Sequence, residues 1–179
     1  MPVWQFNERH TTHIAAPPER VFTATRVVTA DEIPLFQLLT WIRRGGRPGP
    51  ESILNASGRR PLLEVATSSG FIALADDSPR ELVLGTLVMT PAPVRAAGPL
   101  EPRIFLSETP PGVALAAMNF LVIPDGAGGS LLSTETRVHA GDSSAAQRFA
   151  VYWRLIRPGS DMIRRMWLRA IKLRAERAR

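Results

Sequence analysis

The last quarter of the chain, from Asp142 to Arg177, carries one amphipathic pattern, which constrains the fold more than any other feature. Its key positions recur at steps of three, four or seven residues, the spacing of one helical face: Phe149, Trp153, Ile156, Ile163, Trp167, Ala170 and Arg174. A helix over this whole range would be roughly 50 Å long at about 1.5 Å per residue. We expect the rest of the chain to form a sheet that wraps this helix.

The segment Pro158–Ser160 interrupts the pattern. A proline inside a helix loses one backbone hydrogen bond and clashes with the preceding turn. We therefore predict a kink at this point, or two separate helices. The first free amides can be capped by side-chain oxygens at the start of the helix, on Asp142, Ser143 and Ser144.

Alternation of apolar and polar side chains predicts antiparallel strands before this helix. Residues 3–14 form the first strand, and we assign to its buried side Trp4, Phe6, His10, Thr12 and Ile14. Two hairpins follow: Phe71–Ala75 with Glu81–Met89, and Val113–Ile123 with Leu131–Ala140, the second turning at Asp125–Gly129.

Shorter helical patterns lie between the strands. After Pro17 and Pro18, mainly apolar residues at helical spacing predict a first short helix: Val21, Phe22, Thr25 and Val28. A second helix is predicted over Glu32–Arg43, with an apolar side made of Phe36, Leu39, Trp41 and Ile42. Pro61–Ser69 predicts one or two further helical turns. Residues 91–111 hold six of the sixteen prolines and are expected to form an irregular cover, so the strand count between residues 45 and 111 stays open.

These elements predict an α+β fold in one domain over residues 1–179, in which an antiparallel sheet wraps the C-terminal helix. An antiparallel sheet buries one face, and the terminal helix is the only predicted element large enough to cover it. A chain of 179 residues buries about 70% of its unfolded surface, which leaves room for a cavity.

Composition excludes several classes of function. The chain has no cysteine, so disulfides, thiolate metal sites and cysteine nucleophiles are absent. No apolar run approaches the roughly 20 residues of a membrane span, and the N-terminal residues lack the form of a signal peptide, so we expect a cytoplasmic protein. No phosphate loop, dinucleotide glycine motif or nucleophile elbow occurs.

The net charge of +6 is concentrated at the C-terminus, where residues 147–179 hold ten basic and two acidic residues. Amphipathicity explains most of these bases as the solvated back of the helix. It also explains the basic-aromatic segment Arg164–Trp167, so we predict no nucleic-acid partner. Contact between the arginine-rich helix end and an anionic membrane surface is kept as a separate hypothesis.

The chain resembles the SRPBCC or START-like helix-grip superfamily, which includes polyketide cyclases and the birch-pollen allergen. The matching segments, in order, are His13–Phe22, Thr134–Val138 and Phe149–Ile171 with its break at Pro158–Ser160. The last segment resembles an uncharacterised bacterial subfamily. The chain departs from the usual layout at Pro61–Ser69, where a second strand often lies. The resemblance implies a hydrophobic pocket between sheet and helix and carries over no catalytic residues, because the superfamily has no common catalytic motif.

The three histidines do not predict a metal site, because a zinc site needs three or four converging ligands. His10 lies on the predicted inner face, where it is either a cavity acid or base or a hydrogen-bonded structural histidine. His13 and His139 fall on predicted outer faces. We predict no cofactor.

Glu135 and Arg137 stand two apart on one strand and share a face. Pairing about Gly126–Ala127 would place them beside Asn119 and Ala117. They form either a polar patch that orients a ligand or a charge pair on the wet face. A slip of one residue would exchange the two faces, so the face that lines the cavity stays open.

Apolar side chains on the opposite hairpin face, together with aromatic residues elsewhere, predict either a filled core or a ligand pocket. The candidate lining residues are His10, Phe71, Phe105, Met118, Phe120, Trp153 and Trp167. The leading hypothesis is binding of a small hydrophobic or amphipathic molecule, such as a lipid, by a carrier, sensor or sequestering protein. The alternative is a cyclase- or dehydratase-like enzyme in which His10, Asn119, Glu135 and Arg137 supply polar groups. The ligand, the catalytic residues and the oligomeric state stay undetermined.

Overall fold

A computed structural model of the chain describes residues 3–56, 58–91, 101–107 and 109–177. The described residues form one antiparallel sheet of five strands: β1 (Phe6–Ile14), β2 (Phe71–Asp77), β3 (Glu81–Met89), β4 (Ala114–Pro124) and β5 (Ser130–Ala140). Their order in the sheet is β1-β5-β4-β3-β2. A long C-terminal helix packs against this sheet, and the predicted α+β class is confirmed.

Within the described residues, four α-helices accompany the sheet: α1 (Pro18–Val27), α2 (Phe36–Arg43), α3 (Leu62–Ser68) and α4 (Ser143–Arg177). Single 3-10 turns lie at Ala30–Glu32 and Pro102–Phe105. The helical prediction at residues 61–69 is confirmed by α3, so the segment where a second strand often lies is helical here.

The predicted second helix starts four residues too early. Glu32 closes a capping box on the short 3-10 turn, where its Oε1 accepts a 2.9 Å hydrogen bond from the Thr29 amide. Leu35 then adopts the left-handed conformation, with φ of 56°. A residue in that conformation cannot continue a right-handed helix, so α2 begins at Phe36.

Helix α4 runs without interruption for 35 residues, and Pro158 lies inside it. The prediction of two separate helices is therefore wrong. Pro158 and Arg154 are both exposed, so water can bond the carbonyl that the missing proline amide leaves unpaired. The start of α4 is capped by Asp142, whose Oδ1 accepts a 2.7 Å hydrogen bond from the Ala145 amide.

The register of the β4–β5 hairpin agrees with the prediction: Ala117 lies opposite Arg137, and Asn119 lies opposite Glu135. In β1, β4 and β5 the even-numbered residues face α4, and the odd-numbered residues face the other side. His10 and Ile14 are accordingly buried on the inner side of β1.

The inner face carries two apolar clusters. The larger one joins α1, α3 and the second half of α4 to the strands, and includes Phe36, Met118, Phe120, Ile163 and Trp167. The smaller one lies at the start of α4 and is built mainly of small residues: Ala114, Ala116, Val138, Ala140, Ala145 and Phe149. The change from alanine to large residues along β4 marks the border between the two clusters.

Three positions differ from the prediction. The Arg137 guanidinium carbon lies 4.2 Å from the centre of the Trp4 ring, which places Trp4 on the outer side rather than beside Phe6. Trp41 and Ile42 are 52% and 58% exposed, because α2 buries only the side that carries Phe36 and Thr40.

Phe105 lies on the outer face of the sheet, where it packs with Val113 and Leu115. Gly85 makes this contact possible, since a Cβ at that position would stand 2.5 Å from the Phe105 ring. Residues 92–100 and 108 of the predicted proline-rich cover lie outside the described residues.

Candidate functional site

A cavity of about 290 Å³ lies between the inner face of the sheet, α2 and the first two-thirds of α4. Its walls are mainly aliphatic and aromatic, with side chains that include Phe36, Ile53, Phe71, Ala116, Met118, Val138, Phe149, Trp153, Ile156, Ile163 and Trp167. Its rim includes the exposed residues Arg43, Val88 and Tyr152. The volume is at the lower end of the range for small-molecule sites.

The cavity lies where the two inner apolar clusters meet. Ala116 and Val138 of the smaller cluster line one side, and Met118 and Trp167 of the larger cluster line the other. Ala116 is much smaller than Met118, the next inward-facing residue of β4, and leaves space on its side of the strand.

Four of the seven candidate residues line this cavity: Phe71, Met118, Trp153 and Trp167. Phe120 is fully buried beside it, with its ring centre 5.2 Å from that of Trp167. Phe105 lies on the opposite face of the sheet, and His10 faces α4 outside the cavity, near Asp161.

Arg164 is the polar residue of the cavity that the sequence pattern missed. It was assigned to the solvated back of the helix, but its guanidinium reaches across to β5 and donates a 3.0 Å hydrogen bond to Thr136 Oγ1. Its other terminal nitrogen contacts Met118 Sδ and lies 3.5 Å from Thr134 Oγ1. Arg164 stands three residues before Trp167, and this spacing on the helical face was the available indication.

Arg164 is half-buried and lines the cavity. Burial lowers the pKa of Arg164 to about 10, an effect that the negative charge of Glu8 opposes and the positive charge of Arg43 reinforces. The side chain therefore stays charged at neutral pH. Among the described residues, no carboxylate forms a salt bridge with it.

Further polar groups belong to the cavity. At the rim, Arg43 donates hydrogen bonds of 3.2 and 2.8 Å to the Tyr152 hydroxyl. Inside, Trp167 is 2% exposed, and its indole N–H has no acceptor among the described residues. A buried donor without an acceptor is costly and uncommon in a native structure.

Glu8, His10 and Asp161 form a second polar cluster on the inner side, with one potential ligand atom of each within 4.8 Å of the others. His10 Nε2 lies 2.7 Å from Glu8 Oε1. Arg165 binds both oxygens of Asp161, at 2.9 and 3.1 Å. The donor set is one that holds metal ions in other proteins, but here these atoms are engaged in hydrogen bonds with each other and with an arginine.

The polar patch on the hairpin lies on the outer face. Arg137 binds both carboxylate oxygens of Glu135 at 3.0 Å, and Asn119 bonds to Glu81 at 2.6 Å and to the Glu135 amide at 2.9 Å. The Arg137 hydrogen bonds lower the pKa of Glu135 against the opposing effect of burial. None of these residues lines the cavity between sheet and helix.

Several basic residues of α4 are paired within the fold. Arg174 binds Glu32 through hydrogen bonds of 2.9 and 2.8 Å, and Lys172 lies 2.7 Å from Glu176.

Over the described residues, none of the helices has the length and apolar character that crossing a membrane requires.

No model of a known protein family matches the chain, and no curated protein matches it. Solved structures match over nearly the whole chain at low similarity. A conserved protein from Geobacillus kaustophilus is 11% identical over 97% of both chains, with a TM-score of 0.47. CalU16 from Micromonospora echinospora is 15% identical over 97% of this chain and 96% of that chain, with a TM-score of 0.33.

A third match is the di-domain ARO/CYC protein StfQ from the steffimycin biosynthetic pathway. It is 12% identical over 96% of this chain and 50% of that chain, with a TM-score of 0.35. Identities of this size assign neither a subfamily nor a ligand to the chain.

Proposed function

We propose that the protein binds one small hydrophobic or amphipathic molecule in the cavity between the sheet and α4, as a carrier, sensor or sequestering protein. The observation that carries the proposal is the cavity of about 290 Å³ at the border of two otherwise packed apolar clusters. Apolar burial supplies most of the affinity in such a site, and a few polar groups set the orientation of the ligand.

The composition of the walls supports binding over catalysis. General acid–base chemistry uses His most often, and also Asp, Glu, Lys, Cys or Tyr. Of the described residues that line the cavity, only Tyr152 belongs to these types, and its hydroxyl accepts hydrogen bonds from Arg43. The cyclase- or dehydratase-like alternative relied on His10, Asn119, Glu135 and Arg137, and all four lie outside the cavity.

The proposal is tested with N-phenyl-1-naphthylamine, a neutral dye whose fluorescence rises in apolar surroundings. We expect saturable binding of one dye per chain and transfer of excitation from Trp153 and Trp167. Ala116→Phe fills the cavity from β4 and should abolish the binding. Ala117→Phe makes the same change on the outer face of the same strand and should leave it intact.

If the wild-type chain does not bind the dye, or if the two variants bind it equally, the proposed function is wrong. Overpacking costs about 1–3 kcal/mol, so both variants are first checked by thermal unfolding. If Ala116→Phe does not fold, Ser160→Phe fills the same cavity from α4 and replaces it. Mass spectrometry of lipids retained from an extract then identifies the natural ligand.

A further inference from the structure

We propose that the ligand is an amphipathic carboxylate whose charged group pairs with Arg164. This inference rests on the proposed function, because it places the ligand in the same cavity. Its first basis is the charge of the walls. Two of the described lining residues are arginines, Arg43 and Arg164, and none of the described lining residues is acidic.

Arg164 lacks the partner that a buried arginine normally has. Removing a cation from water is costly unless a counter-charge and hydrogen bonds replace the lost solvation. The hydrogen-bond partners of Arg164 are neutral: Thr136, Thr134 and the Met118 sulfur. Glu8 acts on it only at longer range, and Arg43 opposes its charge. A ligand anion would supply the missing counter-charge.

A carboxylate fits this site by its shape. A planar guanidinium presents donors in a fork that matches the two oxygens of a carboxylate. The Arg164 guanidinium carbon lies 5.6 Å from the centre of the Trp167 ring, so the two residues are neighbours at the cavity wall. Trp167 itself lines the cavity, and its indole N–H is buried without an acceptor among the described residues.

The cavity volume limits the size of the apolar body. About ten groups of water size fill 290 Å³, at about 30 Å³ for each water in the liquid. The walls that continue from Arg164 are apolar, and include Ile163, Phe149 and Val138. The ligand class is therefore a monocarboxylate with an aliphatic or aromatic body and roughly ten non-hydrogen atoms in total.

The test compares octanoate with octan-1-ol, which has the same chain length and no charge. Binding is measured by isothermal titration calorimetry on the wild-type chain and on Arg164→Met. We expect the wild type to prefer octanoate, and Arg164→Met to weaken octanoate binding by about 10- to 100-fold while octan-1-ol binding changes little. Arg169→Met, on the exposed side of the same helix, is the matched control and should bind both probes as the wild type does.

A separate measurement does not depend on any variant. In the wild-type chain, octanoate should shift the indole N–H resonance of Trp167 in ¹⁵N-labelled protein, and that of Trp41, which is exposed, should not move. If octan-1-ol binds as tightly as octanoate, or if Arg164→Met weakens both equally, the carboxylate inference is overturned while the proposed function stands. The carboxylate inference is also overturned if the neutral dye binds and octanoate does not. If neither the dye nor either probe binds, both proposals are wrong.

Discussion

Arg164 of α4 donates a 3.0 Å hydrogen bond to Thr136 of β5, so the middle of the terminal helix is joined to the sheet by a charged group as well as by the apolar contacts of Ile163 and Trp167. The bond forms beside the cavity. It holds the guanidinium at the cavity wall in one orientation.

Thr136→Val should remove this bond with almost no change of shape. We expect a loss of about 1–2 kcal/mol in the free energy of unfolding, because a charged donor loses one neutral acceptor. Urea denaturation measures the change. Thr11→Val, at an exposed position of β1, is the control and should change stability by less than about 0.5 kcal/mol. Equal stability of the two variants would show that the Arg164–Thr136 bond does not stabilise the fold.

Trp167→Ala should be strongly destabilising, since Trp167 is 2% exposed and packs on Phe120. Emptying a buried aromatic site costs about 3–5 kcal/mol. Trp4→Ala, at the outer face near the chain start, should cost less. Denaturant unfolding of the two variants compares their losses in the free energy of unfolding. A cost under about 1 kcal/mol for Trp167 would mean that α4 does not bury this face.

Asp142→Asn should destabilise the start of α4 in a pH-dependent way. Hydrogen bonds from the Ala145 and Gly112 amides lower the pKa of Asp142. Its folded pKa is thus below its unfolded value of about 3.9, so the stabilisation is complete above that value and is lost as the pH falls through the folded pKa. Thermal unfolding between pH 6 and pH 2.5 should show a difference between wild type and variant that shrinks towards low pH. A difference that stays constant over this range would contradict the charge-dependent cap.

Gly85→Ala and Gly159→Ala should change stability in opposite directions. A Cβ at Gly85 would stand 2.5 Å from the Phe105 ring and 2.8 Å from a Leu74 methyl, whereas a Cβ at Gly159 meets nothing within 4 Å. We expect a loss of about 1–3 kcal/mol at Gly85 from overpacking. At Gly159, inside α4, we expect a gain of about 0.5–1 kcal/mol from helix propensity. Urea denaturation of both variants measures these changes. Unchanged stability of the Gly85→Ala protein would show that Phe105 does not need this space.

The sequence alone was sufficient to predict which face of α4 is buried and how the residues of the β4–β5 hairpin pair. Both depend on neighbours within a few residues: helical periodicity sets the stripe that contains Ile163 and Trp167, and the turn Asp125–Gly129 sets the pairing of Asn119 with Glu135. Met118, Trp153 and Trp167 line the cavity on faces that these periodicities favour as inner, whereas Phe71 was proposed only as an aromatic residue.

Tertiary structure alone decided the positions of Phe105 and Trp4. Phe105 was expected in the cavity because it is a large apolar residue, but the absence of a side chain at Gly85 gives it a place on the outer face. Trp4 precedes β1, so strand alternation does not apply to it, and the positive charge of Arg137 holds its ring on the outer side.

Arg164 shows why some features could be predicted from the sequence and others could not. By sequence it is one of ten basic residues near the C-terminus, and periodicity assigned it to the solvated side of the helix. Its orientation is decided by Thr136 and Met118, which are 28 and 46 residues away along the chain, and by the space that short side chains leave on β4. Local periodicity determines which elements form and which faces they bury. Only the packing of distant elements determines where a cavity remains and which charge it contains.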